Sequence, residues 1–101
     1  MKLSNLQKYI LKQSYFSRSK KINRHLFLNY YKDKKKISEK DKINSITKSL
    51  DRLIEKDLIF GFGEKTAHKF YIQEIKLTPK GRLTARNLAG KQQKLPLDRQ
   101  D

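Results

Sequence analysis

The sequence predicts a single α+β domain with a three-helix core, a two-stranded β-hairpin and a short C-terminal helix. Three observations carry that prediction. Residues 46–59 read as an amphipathic helix that stops abruptly and becomes a strand. Leu58, Phe60 and Phe62 then alternate with Ile59, Gly61 and Gly63, and a second strand pattern follows a polar tip. Thr78-Pro79-Lys80-Gly81 opens another helix. At 101 residues and 36% apolar side chains, the chain can bury one modest core.

Each element has its own signal. Ser4-x-x-Gln7 is a capping-box pattern, and Leu3, Leu6, Tyr9, Ile10 and Gln13 follow at helical spacing. Residues 15–19 break the period and offer two N-caps. A second helix is expected over residues 20–32, burying Ile22, Leu26 and Tyr30 with help from Phe27 or Tyr31. Residues 32–36 form a basic turn. The third helix, about residues 39–57, starts at Ser38, where Ser38-x-x-Asp41 caps the first turn and Glu39 and Asp41 suit the positive end of the dipole. Ile43, Ile46, Leu50, Leu53 and Ile54 fall on one stripe; Ser45, Lys48 and Arg52 lie opposite, flanked by Asn44 and Glu55. The helix ends at Asp57, where a left-handed residue is wanted.

In the hairpin, residues 64–68 make the tip and Phe70-Tyr71-Ile72-Gln73 resumes the strand. Apolar parity shifts from Phe70 and Ile72 to Ile75 and Leu77, which predicts a bulge or bend near Gln73-Glu74. Thr78 is an N-cap, Pro79 suits the first helical position, and Gly90 stands where a C-cap belongs, so the fourth helix spans residues 79–89. The domain is therefore residues 1–90, with residues 91–101, which include Pro96, as a flexible tail.

Charge narrows the partners. The net charge is +15, which favours a polyanion. It is unevenly placed. Residues 1–38 carry 11 basic and 1 acidic side chains, residues 39–57 carry 5 of each, and residues 58–101 carry 9 and 4. A neutral third helix inside a basic frame suits phosphate contacts that position and a helix that reads. The absence of cysteine excludes disulfides and thiolate chemistry. No apolar run approaches the roughly 18 residues of a membrane span, so a cytoplasmic protein is expected. Gly61-Phe62-Gly63-Glu64-Lys65-Thr66 lacks the phosphate-loop spacing and precedes a strand. His25 and His68 are the two histidines, and no metal, cofactor or catalytic cluster is expected around them.

Three local signatures resemble the winged helix-turn-helix superfamily, and within it the DNA-binding core of MarR-type and related bacterial and archaeal transcriptional regulators. Residues 46–53 look like that family's recognition helix. Glu55-Lys56-Asp57-Leu58-Ile59 looks like its exit into the first wing strand, with Asp in place of the usual Gly. Leu77-Thr78-Pro79-Lys80-Gly81 looks like the opening of the helix after the wing. The resemblance implies a third helix in the major groove of double-stranded DNA and a wing on the backbone or minor groove. Base contacts would fall to Asn44, Ser45, Thr47, Lys48 and Arg52. Backbone contacts would fall to Arg18, Lys20, Lys21, Arg24, Lys42, Lys65, His68 and Lys69. The first and fourth helices are shorter than those through which such proteins usually pair, which leaves a homodimer open. Two alternatives stand beside this reading. One is an RNA-binding or ribosome-associated protein. The other is a protein-interaction module built on Tyr15, Phe16, Tyr30 and Tyr31.

Overall fold

Ser4 begins the first ordered turn. Its hydroxyl accepts from the Gln7 backbone N–H at 3.1 Å while the Gln7 side chain accepts from the Ser4 N–H at 3.0 Å, closing the expected capping box. Helix α1 (Asn5–Phe16) follows. The computed structural model describes residues 2–17, 19–34, 36–67 and 70–97. After α1 come strand β1 (Ile22–Asn23), a 3-10 helix (Arg24–Tyr31), α2 (Glu39–Glu55), β2 (Ile59–Lys65), β3 (Phe70–Leu77) and α3 (Pro79–Leu97). The three strands form one antiparallel sheet in the order β1-β3-β2. Three helices stack on the inner face of that sheet, with the β2–β3 hairpin as the wing. No helix among the described residues is long and apolar enough to cross a membrane.

The core joins Ile10 and Leu11 of α1 to Phe27, to Ile46, Leu50 and Leu53 of α2, and to Leu58, Ile59 and Ile75 near the sheet, all essentially excluded from solvent. Helix α3 lies against α1 and buries Ala85 and Ala89.

Two elements depart from expectation. The helix expected over residues 20–32 is instead a two-residue strand followed by a 3-10 helix. Ile22 and Asn23 pair with Ile75 and Glu74, occupying a backbone edge of β3 that would otherwise lie unpaired beside the core. Asn23 then caps the turn by accepting from the His25 N–H at 2.9 Å. The tighter winding changes which side chains point inward. Ile22, Phe27 and Tyr31 are buried, Tyr30 is half-buried, and Leu26, expected in the core, is 41% exposed. Helix α3 does not end at Ala89 but runs through Gly90 to Leu97. A glycine ends a helix by adopting positive φ, and no glycine here does so. Residues 98–101 of the expected tail lie outside the described residues.

Where α2 meets the wing, the chain turns through a Schellman motif. The Leu58 N–H donates to the Leu53 carbonyl and the Asp57 N–H to the Ile54 carbonyl, both at 2.9 Å. Asp57 takes the left-handed conformation (φ 62°), and Leu53 and Leu58 pack beneath it, both fully buried. The start of α3 locks onto the same corner. The Thr78 hydroxyl donates to the Asp57 carbonyl at 2.7 Å and accepts from the Gly81 N–H at 2.9 Å, so the expected N-cap also ties two elements together. Gly81 is needed there because a Cβ would overlap the Leu58 carbonyl oxygen. Further along the hairpin the register slips between Phe62 and Gly63. Phe62 pairs with Glu74 and Gly63 with Ile72, leaving Gln73 as the extra residue of a bulge where the parity shift requires one.

Candidate nucleic-acid interface

The candidate interface is built on α2. Ser38 caps it by accepting from the Asp41 N–H at 3.1 Å. Ile46, Ser49, Leu50 and Leu53 are buried on the inner face. The outward face carries Asn44, Lys48, Asp51, Arg52 and Glu55, all exposed. Glu39 and Asp41 occupy the first turn and Asp51 and Glu55 the C-terminal part, so the stretch of the outward face free of carboxylates is its middle, around Asn44 and Lys48.

The other expected groove residues sit differently. Ser45 and Thr47 are half-buried. The Thr47 hydroxyl accepts a short hydrogen bond from Arg24 Nη2. The same nitrogen donates to the Ile43 carbonyl at 3.3 Å, and Arg24 Nη1 donates to the Ile72 carbonyl at 3.1 Å. Arg24 therefore staples α2 to the wing strand β3, and its guanidinium is engaged with protein acceptors on both. Burial pushes its pKa below the ordinary value, opposed by the field of Asp51; a guanidinium stays charged at neutral pH regardless. Ile43, placed by helical periodicity on the core stripe, is 42% exposed beside Thr47. The first turn of α2 projects past the packed core, which a helical wheel does not record.

The basic frame is only partly drawn by the structure. Lys20 and Lys21 are exposed just before β1, and Lys65 is exposed at the end of β2. The Lys21 ammonium lies 4.4 Å from the centre of the Phe62 ring, tying the bend before β1 to the wing. Lys42 is half-buried and pairs with Glu39 at 3.3 Å, a contact on an otherwise exposed turn. Arg18, His68 and Lys69 lie outside the described residues. Among those described, no three His, Asp or Glu side chains gather as a metal site. Sequence reasoning named Arg24 but missed its role, because its partners lie 19, 23 and 48 residues away.

Three solved structures share this shape. The chain superposes on the adhesin competence repressor AdcR of Streptococcus pyogenes with a TM-score of 0.66 at 17% identity, covering 94% of this chain and 61% of that one. The fold is a winged helix. A ZitR variant from Lactococcus lactis matches with a TM-score of 0.62 at 23% identity, over 93% of this chain and 56% of that one. A MepR variant from a Staphylococcus aureus clinical isolate matches with a TM-score of 0.66 at 14% identity, over 98% and 67%. All three are MarR-family winged-helix transcriptional regulators, and this chain resembles their winged-helix core. It spans about three-fifths of the length of the first of them. No protein-family model matches the sequence, and no curated protein does.

Proposed function

We propose that this winged helix binds double-stranded DNA and regulates transcription by occupying an operator. The middle of α2 would enter the major groove, and the basic segments around it would hold the phosphates. The observation that carries this reading is the outward face of α2. Asn44 and Lys48 are exposed there on a helix anchored by its buried stripe and by the Arg24 staple. Asn presents the donor and acceptor pair that suits adenine, and Lys donates to guanine O6 and N7. Ile43 would offer an apolar contact to a thymine methyl group beside them. Arg52, closer to Asp51 and Glu55, would sit at the groove's edge. Lys20, Lys21 and Lys65 would reach the backbone. Arg18, Lys42, His68 and Lys69 complete the set of backbone residues.

The test is a duplex site selected from a randomised library, followed by fluorescence anisotropy across a salt series. Binding should weaken with salt at a slope of about −0.9 per phosphate contacted. Lys48→Ala should weaken the selected site by about 1–3 kcal/mol and random duplex by much less. Equal losses on both would make Lys48 a backbone contact. Efficient competition by structured RNA would replace the DNA reading with an RNA one.

A further inference from the structure

The sheet has a second surface that the duplex reading leaves unused. Its inner face, carrying Ile59, Gly61, Ile72 and Ile75, packs on the core, and Gly61 lies close against Ile54 of α2. Its outer face points away from α2. The solvated side of an antiparallel sheet is ordinarily polar. Here the outward positions of β2 include Phe60, 47% exposed, and Phe62, half-buried. On β3 the outward position level with Glu64 is Tyr71, 49% exposed. Phe60 and Phe62 stand about 7 Å apart along the strand, and Tyr71 lies about 13 Å from Phe60 in the same direction. The aromatics thus form a line rather than a cluster.

Cations accompany that line. Lys76 is opposite Phe60, and Lys21 is held over the Phe62 ring. Two carboxylates share the face: Glu74 opposite Phe62 and Glu64 opposite Tyr71. We propose that this outer face is a stacking platform for single-stranded nucleic acid, separate from the duplex surface on α2.

The mixture of groups selects that ligand. With Lys21 and Lys76 set against Glu64 and Glu74, the face is locally near neutral. A duplex, which hides its base faces and offers mainly phosphates, gains little from such a surface. A single strand exposes base faces that stack on aromatic rings whatever their sequence. Its phosphates can follow Lys21 and Lys76, while the chain's net charge of +15 supplies long-range attraction. Sheet faces that bind single-stranded RNA use two or three bases on exposed aromatics in this way. Lys21 is common to the two surfaces, but Phe60, Phe62, Tyr71 and Lys76 belong to the outer face, so the inference does not depend on the duplex reading.

The experiment uses the full chain and three fluorescein-labelled probes: a twelve-nucleotide oligo-dT, the equivalent oligo-U, and a random-sequence duplex. Anisotropy is measured for the wild type, for Phe60→Leu with Tyr71→Leu, and for Lys48→Ala. The leucines keep apolar bulk at half-exposed positions and remove only the π faces, and circular dichroism confirms folding. The double variant is expected to lose at least about tenfold in affinity for a single strand and less than about twofold for duplex. Lys48→Ala should show little change on either single strand. The ratio of oligo-dT to oligo-U binding says which strand chemistry is preferred. Wild-type protein that ignores both single strands overturns the proposal. So does a double variant that keeps its single-strand affinity, or one that loses duplex affinity equally. Single-strand binding abolished by Lys48→Ala would also overturn it, because the strand would then lie on α2.

Discussion

Two regions hold elements against α2, and they do it by opposite means. The corner joining α2, β2 and α3 is made of main-chain hydrogen bonds, a left-handed Asp57 and a glycine pressed against a carbonyl oxygen. The segment between α1 and α2 pairs with β3 through β1 but is tied to α2 by a side chain: Arg24 reaches α2 and β3, with Lys21 resting on Phe62. Backbone contacts at van der Waals distance tolerate almost no displacement. A long side chain tolerates more, because its rotamers can follow a moving partner. The corner therefore fixes the angle between α2 and the wing, and the staple trims it.

Substitutions can break or sharpen that contrast. The largest effect is expected at the corner. Gly81→Val must displace the Leu58 carbonyl or unwind the first turn of α3, and should destabilise by about 3 kcal/mol. Urea denaturation measures it, and a loss under about 1 kcal/mol would show the corner to be looser than described. Next comes the staple. Arg24→Met keeps the apolar stem but removes the donors to two carbonyls and a hydroxyl, and should cost about 1.5–3 kcal/mol. Arg24→Lys should not restore it, since one ammonium cannot replace a planar fork serving acceptors on two elements. Restoration by Lys would reduce the staple to simple charge.

Asp57→Gly works in the other direction. Relieving the left-handed strain of a non-glycine residue should stabilise by about 1 kcal/mol. A calorimetric Tm should then rise by about 4–8 °C. An unchanged or lower Tm would mean that the Asp57 carboxylate contributes something the glycine lacks. The smallest effect is Lys21→Ala. An exposed cation–π contact is worth about 0.5–1 kcal/mol, and the stability change should stay within that range. A larger loss would show the N-terminal segment to depend on Lys21 as the corner depends on Gly81.

The same division explains what could be read without coordinates. The Ser4–Gln7 box, the Ser38 and Thr78 caps, the left-handed Asp57 and the bulge at Gln73 all appear as expected. Each is set by residues within a few positions of one another, or by a parity that changes along one strand. Strand β1 could not be seen because two residues carry no periodicity. Its pairing depends on β3, some fifty residues later. Leu26 and Ile43 were misplaced because a wheel assumes one helical pitch and a core of unlimited length. The outward face of α2 was legible at Asn44, Lys48 and Arg52, whose exposure follows from the buried stripe opposite. It was not legible at Thr47, whose hydroxyl is engaged by Arg24.

What the sequence alone determined is the order and chemistry of the elements: local capping, turn residues and apolar spacing specify a winged helix, and the charge distribution frames a neutral α2 with basic segments. Only the tertiary structure decided which cations are engaged by the protein and which aromatics face water on the outer sheet. Those outcomes depend on which groups meet after distant segments pack, and neither spacing nor composition contains that information.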